Sequence, residues 1–240
     1  DAAPTADAGP SFTLNRVNLQ GNTAIGEGKL ALIFKDQIGK TTNLGGVRKI
    51  ASDITAFYRN EGYILSRAVV PPQRVENGIV TIQIVEGYID SVNFNGAEAQ
   101  NEWLLKSYAE KIKQSRPLNN KDLERYLLLM DDLNGSTARA VLSPSSSQPG
   151  ASALTVSIEH DPIEGELTVD NRGSRFLGPI QTGARFATNS LFGGSEKLQL
   201  RAIGASEWDE LRYYEGAYQQ PYGSEGSSLR FLTSYTQTEP

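Results

Sequence analysis

The stretch Gly78–Gly96, GIVTIQIVEGYIDSVNFNG, decides how the chain is organised. Its first half, up to Val85, is an almost unbroken run of β-branched apolar residues, which is typical of a strand paired on both sides. In its second half, Val92 and Phe94 alternate with polar neighbours, as in a strand with one buried face. Only Glu86-Gly87 separates the two halves. We therefore predict that the stretch joins two structural units through this short linker.

Before this joint, the sequence predicts a strand, two helices and a second strand. Apolar residues have helical spacing in both helices, and Gly62 stands where a helix-ending glycine is expected. The second strand stops at Pro71-Pro72, because proline cannot donate a hydrogen bond within a sheet. The predicted elements are the strand Phe12–Asn22, the helices Glu27–Ile38 and Leu44–Asn60, and the strand Ile64–Val70. With the strand that ends at Val85, the order is strand, helix, helix, strand, strand.

The same order recurs after Gly87, at offsets of 72 to 75 residues. Ordered matches at a nearly constant offset are the signature of a tandem repeat. The matching pairs are Val17–Gly21 with Val92–Gly96, Gly62 with Gly135, Arg67–Val70 with Arg139–Leu142, and Thr81–Ile84 with Thr155–Ile158. The helices of the second repeat are predicted at Glu102–Lys113 and Asn119–Leu133.

The pattern changes at His160–Ile163, where helical spacing stops and long alternating segments begin. We therefore divide the chain into a flexible linker (residues 1–10), two repeats (11–87 and 88–161) and a carboxy-terminal region (162–240). In Ile180–Asn189, apolar residues fall on one face and polar residues on the other, and turns are predicted at Phe192–Ser195 and Pro221–Gly226. Such alternation suits the wall of an outer-membrane β-barrel, with lipid outside and water inside. A soluble antiparallel sandwich has the same alternation, so the pattern leaves both open.

Aromatic residues lie near the predicted strand ends, where the girdle of a membrane barrel is expected. They are Trp208, Tyr213, Tyr214, Tyr222 and Tyr235. In a barrel, the inward-facing basic residues would line a polar pore, whereas in a sandwich they form a solvated face. The pore-lining candidates are Arg185, Lys197, Arg201 and Arg230.

Composition excludes several functions. The net charge is −5 and no run of Lys and Arg is present, which argues against a nucleic-acid surface. The chain has no cysteine and one histidine, His160, so we expect no metal, cofactor or thiol chemistry. Ser145-Ser146-Ser147 lacks a nucleophile elbow and His160 has no apparent triad partners, so we predict that the protein is not an enzyme.

The repeats resemble POTRA domains, and the chain resembles the amino-terminal part of TpsB transporters of two-partner secretion, within the Omp85 superfamily. The resemblance covers about Phe12 to the end. It is carried by motifs whose order is more specific than any one of them. These motifs are Val17-Asn18-x-x-Gly21, Phe57-Tyr58-x-x-x-Gly62-Tyr63, Arg67–Pro71, Val85-Glu86-Gly87, and Asp170–Arg175 followed by Gly178.

The resemblance implies an α+β fold with two tandem POTRA domains, followed by antiparallel strands of an incomplete outer-membrane barrel. It implies Gram-negative outer-membrane localisation with the POTRA domains in the periplasm. The implied partners are a secreted TpsA-like exoprotein, of the haemolysin or adhesin class, and outer-membrane lipid. About five strands are present where the family has sixteen, so we expect a piece of a longer barrel whose open edges favour dimerisation, strand swapping or disorder after about Pro162.

For capture of an unfolded exoprotein, the relevant chemistry is backbone hydrogen bonding at a sheet edge. The strands that end at Pro71-Pro72 and at Pro144 should be edges, since proline is excluded from central strands. The candidate client-binding residues on these edges and their flanks are Ser66, Arg67, Val69, Arg139, Val141, Tyr63 and Tyr88. Simpler interpretations remain open. The prolines can serve only to block aggregation, the arginines only solubility, and the tyrosines only core packing.

Two other functions remain open besides export. One is an Omp85-type insertase that folds barrels into the outer membrane. The other is a periplasmic scaffold that binds proteins through POTRA edges, which would fit if the carboxy-terminal region were a soluble sheet.

Overall fold

The computed structural model describes residues 10–96, 101–145, 147–171, 173–174, 177–207 and 210–239. Arg172, Arg175 and Trp208, and nearly all of the predicted linker, lie outside the described residues. The chain forms two compact units. One comprises the residues up to Val92 together with 111–125 and 142–154, and the other comprises 93–110, 126–141 and 155–240. The first repeat belongs wholly to the first unit and the carboxy-terminal region wholly to the second.

The first repeat has the predicted order of strand, two helices and two strands. Its elements are β1 (Phe12–Thr13), β2 (Arg16–Gln20), α1 (Glu27–Phe34), β3 (Thr41–Thr42), α2 (Leu44–Asn60), β4 (Arg67–Val69) and β5 (Ile79–Val85). β5 is the central strand of a three-stranded sheet, parallel to β2 and antiparallel to β4. The strand order confirms that the continuous apolar run is paired on both sides and that the strand before Pro71 is an edge.

The predicted strand Phe12–Asn22 is interrupted at Leu14. This side chain is fully buried, and its N–H donates to the carbonyl of Lys40 at 3.0 Å. The next N–H, of Asn15, donates to the carbonyl of Gly78 at 2.8 Å. β1 therefore pairs with β3 and β2 pairs with β5, so one predicted strand becomes two.

Two other elements of the first repeat are shorter than predicted. α1 ends at Phe34, and a short 3-10 helix, Lys35–Gln37, follows it. The strand predicted at Ile64–Val70 has only the three residues Arg67–Val69, because the chain is in turns at Ile64 and Leu65.

α2 has the predicted bounds, and its two ends explain why. At the start, the side-chain oxygen of Asn43 accepts a hydrogen bond from the N–H of Gly46 at 3.1 Å, which caps the helix. At the end, Gly62 has a φ of 94°, which favours glycine. The N–H groups of Gly62 and Tyr63 donate to the carbonyls of Arg59 and Tyr58, which is a Schellman motif.

The core of the first repeat lies between its sheet and its helices. β5 contributes alternate buried residues, as expected of a strand with one face on the core. The core residues include Val80, Ile82 and Ile84 of β5, Ile50, Ile54 and Tyr58 of α2, and Leu30 and Phe34 of α1. Each of these eight side chains is at most 5% exposed.

The second repeat has the same order, close to the predicted bounds. Its elements are β6 (Tyr88–Asn95), α3 (Glu102–Gln114), α4 (Asn120–Asp131), β7 (Ser136–Pro144) and β8 (Ala151–His160). The sheet order is β6-β8-β7, so the strand that ends at Pro144 is again an edge. In the part of the chain that the structure describes, no helix is long and apolar enough to cross a bilayer.

The carboxy-terminal region is one antiparallel sheet of five strands, each paired with its neighbour in sequence. The strands are β9 (Ile163–Asp170), β10 (Gln181–Asn189), β11 (Lys197–Ala205), β12 (Arg212–Tyr222) and β13 (Ser227–Gln237). The turn predicted at Pro221–Gly226 is shorter than expected. Pro221 lies within β12, opposite Ser228, and the turn comprises Gly223–Gly226.

The linker residue Gly87 occupies a crowded position. A Cβ atom placed there would lie 2.4 Å from the carbonyl oxygen of Leu65. Its N–H donates to Ser66 Oγ at 3.2 Å, and its carbonyl accepts from the N–H of Leu118 at 2.8 Å. The backbone of Gly87 is therefore hydrogen-bonded to both neighbouring repeats.

We expect Gly87→Ala to destabilise the first repeat by about 1–3 kcal/mol, because the added methyl group overpacks against backbone. Hydrogen exchange of the β5 amides measures this local free energy of opening. Gly28→Ala is the matched control. A Cβ at Gly28 in α1 meets nothing within 4 Å, so this change should stabilise by about 0.5–1 kcal/mol. Equal β5 protection in the two variants would contradict the prediction.

Candidate functional site

The edge strand β4 of the first repeat is covered on its outer side. The N–H of Ala68 donates to Thr55 Oγ1 of α2 at 2.9 Å, and this hydroxyl donates to the carbonyl of Ala51. Arg67 is exposed and Val69 is half-buried. An added strand would need the Ala68 N–H, which is already bonded. β4 is thus an edge by topology but offers little free hydrogen-bonding capacity.

A side chain takes the place of a strand where β4 stops. Gln73 Nε2 donates to the carbonyl of Thr81 at 2.7 Å, and Gln73 Oε1 accepts from the N–H of Thr81 at 2.7 Å. This pair of bonds reproduces the pattern of an antiparallel strand partner. It completes the pairing of β5 beyond Pro71, which has no N–H to donate.

Ser66 differs from its prediction as an exposed flank of this edge. It is 1% exposed, and its hydroxyl accepts from the N–H of Gly87. The correction has a physical reason: the turn before β4 points this small polar side chain inward, towards the linker. Ser66 is therefore a structural residue and not an exposed contact for a client.

The edge strand β7 of the second repeat is longer and more open. It has nine residues, and Val141 is 66% exposed. The N–H of Ala138 points outward, because it donates to Asp131 Oδ1 at 2.7 Å. Backbone N–H groups alternate along a strand, so the N–H of Ala140 points outward as well. Ala140 itself is exposed.

Arg139 lies on β7 beside this open position. Its guanidinium is 3.4 Å from the carboxylate of Glu159 on β8, and both side chains are more than two-thirds exposed, at 74% and 71%. A solvent-exposed ion pair of this kind contributes at most about 1 kcal/mol. The arginine can therefore leave Glu159 for another carboxylate at little cost.

The two candidate tyrosines lie at the junction of the repeats and not along β4 or β7. Tyr63 follows α2, and its ring centre is 5.9 Å from that of Tyr58. Tyr88 begins β6, its hydroxyl donates to Gln148 Oε1 at 3.0 Å, and the guanidinium of Arg116 lies 4.2 Å above its ring. This cation–π contact orders the junction. The alternative of packing roles for the tyrosines thus fits the geometry.

Glu86 is the central residue of the junction, although the sequence marked it only as half of a linker. Its carboxylate accepts from the N–H groups of Thr23 (2.7 Å) and Ala24 (2.9 Å). It also accepts from the hydroxyls of Thr23 and Tyr58, the latter at 2.9 Å. Burial opposes ionisation, but these four hydrogen bonds outweigh it and lower the pKa of Glu86. Burial and the nearby carboxylate raise the pKa of Tyr58.

One face of the five-stranded sheet carries a network of charges. Arg185 lies 3.0 Å from Glu166 and 3.5 Å from Glu164, and Lys197 lies 2.7 Å from Glu164. Arg201 is opposite Arg185 on one side and Glu215 on the other. Arg230 is exposed and opposite Gln219. The register therefore places all four pore-lining candidates on the same face of the sheet.

The opposite face of this sheet is apolar and exposed. Leu167 is 85% exposed and Val169 is 76% exposed on β9, and Phe231 is 66% exposed on β13. Leu200 and Phe186 lie on the same face of the central strands, at 55% and 48%. Contiguous apolar exposure on this scale marks an interaction surface. The predicted girdle is divided: Tyr214, Tyr222 and Tyr235 share this face, whereas Tyr213 lies on the charged face.

Sequence reasoning missed the side chains that close edges and fix the linker. Thr55, Gln73 and the pair Glu86–Tyr58 act through hydrogen bonds that span 13, 8 and 28 residues of sequence, which hydrophobic periodicity does not show. The only local signal was the Glu86-Gly87 pair itself.

Comparison with known proteins finds two family models along the chain. Residues 12–87 match the POTRA domain, ShlB-type, and residues 150–239 match the haemolysin secretion/activation protein ShlB/FhaC/HecB. The chain is 26% identical over 199 residues to the heme/hemopexin transporter protein HuxB of Haemophilus influenzae strain 86-028NP, which covers 82% of this chain and 35% of that protein. It is 26% identical over 225 residues to the outer membrane transporter CdiB of Dickeya dadantii, covering 92% and 39%.

A solved structure has the same fold. CdiB from Escherichia coli superposes with a TM-score of 0.79 at 21% identity, covering 98% of this chain and 44% of that chain. This likeness includes both repeats and the five-stranded sheet. The chain spans less than half the length of each of these three proteins.

The Glu86 network gives a pH-dependent contribution to stability. Because the folded state lowers the pKa of this carboxyl from its ordinary value of 4.5, the contribution is present at neutral pH and is lost as the pH falls through the lowered pKa. We expect Glu86→Gln to lower the free energy of opening of the first repeat by about 1–3 kcal/mol at pH 7. The difference from the unaltered protein should shrink below pH 4.5.

Hydrogen exchange of the α2 and β5 amides at several pH values measures both effects. Glu61→Gln, at the exposed end of α2, is the matched control and should change neither. A difference between Glu86→Gln and the unaltered protein that stays constant with pH would show that ionisation of Glu86 is not involved.

Proposed function

Because the chain belongs to the ShlB-type family of two-partner secretion transporters, we propose that it is the exoprotein-receiving part of an outer-membrane exporter. The two POTRA repeats stand in the periplasm and receive an unfolded partner protein. The strands β9–β13 form part of the barrel wall through which the partner leaves. The protein is a transporter and not an enzyme.

The observation that carries this proposal is the two-faced sheet that follows the repeats. One face exposes Leu167, Leu200 and Phe231, and the other carries the Arg185–Glu164–Lys197 network. Lipid solvates the first face and water the second, which is the arrangement of an outer-membrane barrel. A soluble periplasmic scaffold would leave the apolar face in water. The match of residues 150–239 to the haemolysin secretion family favours export over barrel insertion.

Within this function, we infer that the exoprotein is captured at β7 and not at β4. An extended client adds to a sheet edge through its main chain, which gives affinity with little sequence preference. β4 is short, and its outward N–H at Ala68 is bonded to Thr55. β7 is longer and presents the outward N–H of Ala140. Arg139 and Val141 then contact the client through a transferable charge and an exposed apolar group.

Capture of this kind is weak, which suits a client that must move on. Each main-chain hydrogen bond contributes roughly 1 kcal/mol, and ordering the client opposes it. The client therefore dissociates readily from the β7 edge and can pass into the pore.

The barrel-wall assignment predicts that two adjacent residues of β11 differ in their tolerance of an introduced charge. Leu200→Arg places a charge on the lipid face and should cost about 2–4 kcal/mol near the bilayer midplane, so folded protein in the outer membrane and secreted exoprotein should both fall several-fold. Gln199→Arg, on the charged face, should leave both near normal. The measurements are heat-modifiable migration of outer-membrane fractions and exoprotein in the medium. Equal effects of the two changes would contradict the assignment.

The capture assignment predicts that Ala140→Pro weakens exoprotein binding, because it removes an outward N–H without disturbing the bonds to β8. Ala140→Ser keeps the N–H and is the matched control, which should bind normally. Binding is measured by pull-down of an unfolded exoprotein segment, with hydrogen exchange to verify the fold.

Photo-cross-linkers test the choice of edge directly. Probes at Arg139 and Val141 should trap the exoprotein during secretion, and probes at Arg67 and Val69 should trap little. The reverse pattern would assign capture to β4 and overturn the inference.

A further inference from the structure

The turn between β10 and β11 is held by a buried carboxylate. Glu196 is 2% exposed, and its side chain accepts from the N–H groups of Phe192 (2.6 Å) and Gly194 (2.9 Å). Ser195 is fully buried. A turn that satisfies its own backbone in this way has a fixed shape.

The second repeat docks on this turn through Ser195. The N–H of Asn101, just before α3, donates to Ser195 Oγ at 3.0 Å, and Asn134 Nδ2, just after α4, donates to the carbonyl of Ser195 at 2.8 Å. The turn between β12 and β13 lies at the same end of the sheet, and Gly226 in it packs against Leu129 of α4. This end of the sheet is therefore the periplasmic end in the proposed function.

Large apolar side chains surround the dock and point into solvent. Phe192 is 80% exposed and Leu191 is 61% exposed, although Ser195 and Glu196 at the end of the same turn are buried. Trp103 is 61% exposed in the first turn of α3, two residues after the docking N–H of Asn101. Phe192 projects from backbone that Glu196 holds in place, so its exposure is a property of the fixed turn.

We propose that Trp103, Leu191 and Phe192 form an interfacial anchor that lies at the headgroup–acyl boundary of the periplasmic leaflet. The inference rests on the proposed function, since it takes the apolar face of the sheet as the membrane face. Leu191 and Phe192 follow the periplasmic end of β10, and Trp103 is two residues from the Asn101 N–H that docks on the same turn. Aromatic side chains at such a position favour the membrane–water interface. Their occupant is phospholipid and not a protein partner, because the turn joins β10 and β11, whose exposed Phe186 and Leu200 belong to the lipid-facing surface of the proposed barrel wall.

The neighbouring charges are compatible with an interfacial position. Glu102, adjacent to Trp103, is paired with Lys106 at 2.6 Å. The hydrogen bond and the charge of Lys106 lower the pKa of Glu102, so this carboxylate stays ionised and paired. The anchor thus ties the second repeat to the membrane beside the barrel, in addition to the hydrogen bonds at Ser195.

Site-specific probes test the anchor, and the absence of cysteine from the chain allows single labels. Cysteine is introduced at Trp103 or Phe192 and labelled with an environment-sensitive fluorophore, and the protein is reconstituted in phosphatidylethanolamine–phosphatidylglycerol vesicles. Nitroxide lipids carry the quencher either near the headgroup or deep in the acyl chain. We expect a blue-shifted emission at both sites and stronger quenching by the shallow nitroxide than by the deep one.

Reference labels separate failure of the anchor from failure of the proposed function. Labels at Leu167 and Phe231, on the apolar face of the sheet, should be quenched strongly, and a label at the exposed Leu32 of α1 should not be quenched. If the labels at 167 and 231 are quenched but those at 103 and 192 are unquenched, like the label at 32, the anchor proposal is wrong and the barrel-wall assignment is supported. If the labels at 167 and 231 are also unquenched, both the anchor and the barrel-wall assignment are wrong.

Discussion

The ionised carboxylate of Glu86 is the interaction on which the organisation of the first repeat and its linker depends. It accepts four hydrogen bonds, from the backbone and side chain of Thr23, the backbone of Ala24 and the hydroxyl of Tyr58. One side chain thus joins the turn after β2, the helix α2 and the residue that begins the linker. A partly buried carboxylate is costly unless its oxygens are satisfied, and here they are. The direction in which the chain leaves the first repeat is therefore set by that repeat's own fold.

The two repeats share an order of elements but differ in how their edges are finished. In the first, Thr55 covers β4 and Gln73 completes the pairing of β5. In the second, Asp131 covers only the start of β7, at Ala138. Natural sheets normally protect their edges against unwanted pairing. The proposed capture of the client at β7 depends on this difference between the two edges.

Local signals in the sequence were sufficient for the main helices and strands and for their order. α2 has an amphipathic repeat with Asn43 and Gly62 at its ends, and β5 has a continuous apolar run, so their existence and pairing were predictable. The break at Leu14 was not, because it depends on the distant carbonyl of Lys40. The same holds for Ser66 and Thr55, whose roles arise from side-chain-to-backbone bonds across the fold. The hydrophobic periodicity of a segment shows which of its faces is apolar. It does not show which backbone groups its polar side chains bond.

The linker also sets where repeats of this kind can be exchanged between related transporters. The Glu86 carboxylate is bonded to Thr23, Ala24 and Tyr58 of the first repeat, whereas the carbonyl of Gly87 is bonded to Leu118 and the N–H of Tyr88 to Gly150, both in the second repeat. A recombination seam at the Glu86–Gly87 peptide bond keeps the Glu86 carboxylate with Thr23 and Tyr58 and the Gly87 carbonyl with Leu118, but it divides the hydrogen bond from the Gly87 N–H to Ser66 Oγ. A seam one residue earlier would separate the carboxylate from Thr23 and Tyr58. An incoming module that begins with glycine restores that bond, because the backbone N–H of glycine can donate to Ser66 and glycine has no Cβ to meet Leu65.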